Sequence, residues 1–110
     1  MEEGRARELL ARERARIERT LATLDAREQD GEPRDAADDA ADLFGEELDE
    51  GIADRMREEL AAIERAERRL REGTYGLSVE SGKPIPDGRL ELIPWAERTA
   101  DEQERYEGRA

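Results

Sequence analysis

The chain contains neither cysteine nor histidine. Without cysteine it can form no disulfide, present no thiol nucleophile and offer no thiolate to a metal. Without histidine it also lacks the commonest general base and a favoured metal ligand. Aromatic residues make up 4% of the 110 residues and apolar residues 35%, too little for a thick, round core. No apolar run approaches the ~20 residues of a membrane span, and no signal-like apolar segment opens the chain. A cytoplasmic protein is the expectation. Lysine occurs once, at Lys83, against eighteen arginines.

Charge, by contrast, is abundant. Charged residues are 45% of the sequence and the net charge is −12. Such a composition suits disorder unless the apolar residues are periodic, and here they are. Leu10, Ile17 and Leu24 recur every seven residues, with Ala6 and Leu21 in the same stripe, so residues 2–28 read as a helix. Gly31 and Pro33 punctuate the segment 29–34. A second helical stretch then runs to Glu72, with Ile52, Met56, Leu60, Ile63 and Leu70 as its stripe. Gly73 follows as the expected C′ glycine, after Arg68, Arg69 and Arg71 in a last turn that favours positive charge. Two long helices with matching stripes and a short joint predict an antiparallel coiled-coil hairpin over residues 1–73.

Charge is segregated along that hairpin. Residues 25–50 hold twelve acids against two arginines. The other end gathers Arg5, Arg7, Arg12, Arg14 and Arg16 with Arg65, Arg68, Arg69 and Arg71. Solvation alone does not require this separation, so the acidic tip, around residues 29–42, is read as meeting something electropositive. The strong negative field repels phosphate, which argues against direct binding of nucleic acid.

Residues 74–110 form a second, smaller unit. Leu77–Ile85 is predicted as a short β-hairpin around Ser81-Gly82, and Pro86-Asp87 opens a short helix through Ile93. Thr99 and Glu102 have capping-box spacing, so a last helix should begin there. Tyr75, Leu77, Ile85, Leu90, Ile93 and Trp95 are its candidate core. The fold class is therefore mainly α, a long helical hairpin followed by a small module with a short C-terminal helix.

The run Gly73-Thr74-Tyr75-Gly76, followed by Ser78-x-x-Ser81-Gly82, Ile85-Pro86, Arg89-Leu90 and Pro94-Trp95-Ala96, resembles the DksA/TraR zinc-finger signature. In that signature two Cys-x-x-Cys pairs hold the metal. By the resemblance, Ser78 and Ser81 stand at the first pair of positions, and Thr99 and Glu102 at the second. Hydroxyls and one carboxylate do not make a tight tetrahedral zinc site, so a metal-free, zinc-finger-like module is expected, with no cofactor. Asp35-Ala36-Ala37-Asp38-Asp39-Ala40 is similar to the family's Asp-x-x-Asp-x-Ala tip motif. The resemblance implies a transcription regulator that binds RNA polymerase through its secondary channel without binding DNA. It makes Asp35, Asp38 and Ala40 the residues that reach the polymerase active centre, and it implies a link to guanosine tetraphosphate.

Aspartate is also a favoured N-cap, so Asp35 and Asp38 have a structural reading as caps of the second helix. A rival functional reading is a coiled-coil interaction or scaffold protein that has lost polymerase binding. An enzyme is not expected. Paired carboxylates on a water-exposed tip lack the pocket that catalysis needs. The narrow apolar stripe fits either a monomer or a weak homodimer.

Overall fold

A computed structural model describes the backbone of residues 1–29 and 36–108, and the side chains of residues 1–27 and 48–108. Among the described residues four helices follow in chain order: α1 (Glu3–Gln29), α2 (Ala36–Glu72), α3 (Asp87–Leu92) and α4 (Ala100–Gly108). At ~1.5 Å per residue the 37 residues of α2 run about 55 Å. The longest dimension of the molecule is also 55 Å, so α2 sets its length.

α1 and α2 pack antiparallel, as their cross-helix ion pairs show. Arg14 meets Glu67, Arg16 meets Glu59 and Arg27 meets Asp49, so partners run down α2 as they run up α1. The seam between them follows the heptad spacing. Ala6, Leu10 and Ile17 of α1 interlock with Met56, Ile63, Ala66 and Leu70 of α2, and Leu24 is buried further along. Leu10, Ile17 and Ile63 are almost wholly excluded from water, and each such side chain stabilises the hairpin by about 1.5–3 kcal/mol. Ile52, expected in the stripe, is 45% exposed. The seam steps by three and four residues through Ala53, Met56, Leu60 and Ile63, and Ile52 sits one position off it.

α2 ends in a Schellman motif. The Thr74 N–H donates to the Arg69 carbonyl at 2.9 Å and the Gly73 N–H to the Leu70 carbonyl at 3.4 Å. Gly73 takes φ = 79°, the left-handed conformation that this cap demands and that glycine adopts without steric cost.

The segment after α2 folds back over the base of the hairpin. Ile85, Leu90 and Ala96 form a second small core, flanked by Met1, Tyr75 and Ile93. Tyr75 and Met1 touch both cores, so the two are contiguous. Two expectations are corrected here. Trp95 packs against the hairpin core, and Leu77 is 38% exposed. The predicted β-hairpin is reduced to a single bridge, Leu77 to Pro84. The chain turns just before the bridge, where Gly76 takes φ = 85° and the Leu77 N–H donates to the Thr74 carbonyl at 3.3 Å, and it enters α3 just after. The Ile85 N–H to the Gly76 carbonyl (2.7 Å) and the Ser78 N–H to the Lys83 carbonyl (2.8 Å) are the two bonds that close this bridge.

Candidate functional site

Two regions carry the functional expectations: the distal end of the hairpin and the C-terminal segment at its base. At the distal end, Asp38 and Ala40 lie on the first turns of α2. Their side chains, and Asp35 altogether, lie outside the described residues.

The base is built from arginine–glutamate pairs. Glu97 is its hub. It accepts from Arg65 at 2.7 Å and stands 3.5 Å from Arg69 Nη1, so one carboxylate joins two successive turns of α2 to the C-terminal segment. Arg5 of α1 makes a two-pronged contact with Glu91 of α3, at 2.9 and 3.2 Å. This contact holds the Glu91 carboxyl below its ordinary range. Tyr75 donates its hydroxyl proton to the Pro94 carbonyl at 2.8 Å, and burial pushes its pKa up to about 12. Arg69 is mostly buried, and its Nε and Nη2 have no hydrogen-bond partner among the described residues. Burial lowers its pKa, partly offset by Glu97.

The arginine-rich base seen in the sequence is thus largely a set of staples. Sequence reasoning missed Glu97 because its partners lie 32 and 28 residues away, beyond any local pattern. Between α2 and the C-terminal segment lies an open cleft of about 750 Å³, lined by Ala62, Arg65, Trp95, Arg98 and Tyr106 among others. Its cations are already engaged. Arg98 stacks 3.8 Å from the centre of the Tyr106 ring and reaches Glu80 at 3.3 Å, and Arg65 is held by Glu97.

The four positions matched to zinc ligands are brought together by these staples and by α4. Thr99 and Glu102 form the expected capping box. The Thr99 N–H donates to Glu102 Oε1 at 2.9 Å, and the Glu102 N–H donates to Thr99 Oγ1 at 3.3 Å. Ser78 is buried at 5% exposure, and its Oγ accepts the N–H groups of Glu80 (3.1 Å) and Ser81 (3.3 Å). Ser81 Oγ accepts the Lys83 N–H at 3.2 Å. Glu102 is 6% exposed. The Thr99 N–H first, then the hydroxyls of Ser78 and Ser81, favour its charged form and bring its pKa down to about 2.

This donor set does not fit zinc. A structural zinc site wants four thiolates or imidazoles. Ser78 has both oxygen lone pairs occupied by backbone donors, and the site holds one carboxylate. Among the described residues no group of three or more His, Cys, Asp or Glu side chains is placed to hold a metal ion. Among them, too, no helix is long and apolar enough to cross a membrane.

Comparison with known proteins places this architecture. The prokaryotic dksA/traR C4-type zinc finger matches residues 73–108. The RNA polymerase-binding transcription factor DksA of Caulobacter vibrioides is 39% identical over 75 residues, which cover 68% of this chain and 53% of that one. The chain therefore spans about half the length of that curated relative. General stress protein 16O of Bacillus subtilis is 36% identical over 55 residues, 50% of this chain and 34% of its own length. The structure of transcription factor DksA2 from Pseudomonas aeruginosa superposes with a TM-score of 0.82 at 30% identity, covering 97% of this chain and 84% of that one. The likeness extends through both the hairpin and the C-terminal segment, and the chain belongs to the DksA/TraR family, whose finger it carries without a single cysteine.

Proposed function

We propose that this protein is a transcription regulator that binds RNA polymerase. On this reading residues 1–73 are an arm and residues 74–110 a module that seats the arm on the enzyme. The observation that carries the proposal is the likeness to DksA2 over 97% of the chain, arm included. A shared finger alone would leave the arm unexplained.

The arm enters the secondary channel tip first. Residues 25–50 carry a net charge of −10, so entry needs an electropositive lining. Asp35, Asp38 and Ala40 then stand near the active centre. Carboxylates there perturb the field around catalytic Mg²⁺, an ion that prefers oxygen ligands. The effect is on the stability of promoter complexes, and no contact with DNA is needed. Guanosine tetraphosphate is the effector that the resemblance implies. The described base favours the polymerase over the nucleotide as primary partner, because Arg5, Arg14 and Arg65 are already bound to glutamates.

A second reading is an interaction or scaffold protein. Leu48, at 65% exposure, and Ile52, at 45%, support it as apolar groups on the arm left for a partner to cover. One experiment separates the two. Core polymerase is titrated with the wild-type chain and with Asp35→Asn/Asp38→Asn, and transcription is then measured with each. Binding by both, with a transcriptional effect from the wild type alone, supports the regulator. Absence of binding by the wild type supports the scaffold.

A further inference from the structure

The residues at the four zinc-ligand positions converge although they cannot hold zinc. Their hydrogen-bond inventory closes around one group. A hydroxyl has two acceptor sites and one proton. Ser78 spends both acceptor sites on the N–H groups of Glu80 and Ser81, so only its proton is left to give. Ser81 and Thr99 likewise accept backbone N–H groups, from Lys83 and Glu102. An ionised carboxylate is acceptor-only, with about four lone-pair sites. Glu102 is that acceptor, buried beside both serines and already bonded to the Thr99 N–H.

We propose that Glu102 is the centre of an anionic clasp that ties the Ser78–Gly82 turn to the first turn of α4, where a C4-type finger uses a metal cation. The polarity of the joint is inverted. Four electron-pair donors around a cation become N–H and O–H donors around an anion. Two contacts back the clasp: the Val79 N–H donates to the Glu97 carbonyl at 2.9 Å, and Arg98 pairs with Glu80. The consequence is a finger whose fold depends neither on divalent metal nor on the thiol redox state. This inference stands whether or not the arm enters polymerase.

The test uses the full chain and three measurements. First, thermal unfolding is followed by circular dichroism with a strong chelator and with added zinc. The same midpoint in both is expected, and a midpoint lowered by the chelator overturns the proposal. Second, amide exchange over Ala100–Gly108 is compared for the wild type and Glu102→Gln, which keeps the shape and removes the charge. Faster exchange there, with the α1–α2 seam unchanged, is expected, and equal exchange overturns the proposal. Third, Ser78→Cys, Ser81→Cys, Thr99→Cys and Glu102→Cys are combined in one chain. If the four positions converge, this variant takes up one cobalt ion with a thiolate charge-transfer band, and its unfolding becomes chelator-sensitive. A folded variant that binds no cobalt refutes the convergence.

Discussion

Removing the Ser78 hydroxyl tests how much the metal-free turn depends on one buried side chain. Ser78→Ala leaves the backbone intact and deletes an acceptor that serves two N–H groups, at 3.1 and 3.3 Å. Leaving a buried donor unsatisfied costs roughly 1–3 kcal/mol. Glu80 and Ser81 are themselves exposed, so water reaches part of their backbone and the lower half of that range applies. The expected loss is about 1–2 kcal/mol. For a domain of this size each kcal/mol lowers Tm by about 4–8 °C. Ser81→Ala is the control. It removes one exposed acceptor, for the Lys83 N–H, together with the hydroxyl's support of Glu102, and should cost less than Ser78→Ala, about 1 kcal/mol or under. Urea unfolding gives both values, provided that the slopes match. If Ser78→Ala were no more destabilising than Ser81→Ala, the turn would not be organised by that hydroxyl and the reasoning would fail.

Three further outcomes are expected. Ile63→Ala should destabilise the protein by about 2–5 kcal/mol, because its side chain is fully buried in the hairpin seam; a loss below ~1 kcal/mol in urea titration would contradict that packing. Gly51→Ala should raise stability by up to about 1 kcal/mol, since Gly51 lies inside α2 and a Cβ there would meet nothing within 4 Å among the described residues; destabilisation would mean that the arm needs glycine at this point. The Glu102 pKa of about 2 lies below its ordinary 4.5, and that of Glu91 is also lowered, so both contribute stability above the ordinary value and lose it as pH falls; Tm should drop from about pH 4.5 towards 2, less steeply in Glu102→Gln, and parallel curves would remove Glu102 from the account.

How far the sequence disclosed this molecule differs from one element to the next. The hairpin was legible because seven-residue spacing is a property of one helix at a time, and Leu10, Ile17, Met56 and Ile63 all fall on the seam. Ile52 was misplaced because an aliphatic residue one step off the seam looks the same in sequence as one on it. The α4 cap was legible because Thr99 and Glu102 carry their own local geometry. Tertiary contacts were not legible. Trp95 belongs to the hairpin core rather than to the small one, and Glu97 joins Arg65 to a segment 32 residues later. The single Leu77–Pro84 bridge is a further case: the turn at Gly76 on one side and the start of α3 at Asp87 on the other cut the predicted ladder short. The meaning of Ser78, Ser81, Thr99 and Glu102 as a set came from family resemblance, since no periodicity links them.

The most direct test of the central claim is a contact map of the arm on the polymerase. A photo-crosslinking amino acid is placed at Ala41, beside the Asp35–Ala40 motif, and a second at Arg71, at the other end of α2. The chain is irradiated with core RNA polymerase, and the adducts are mapped by mass spectrometry. The account predicts that position 41 crosslinks to residues lining the secondary channel near the active centre, whereas position 71 crosslinks to the outer rim. Crosslinks from position 41 confined to the outer surface of the enzyme, or none from either position, would contradict it.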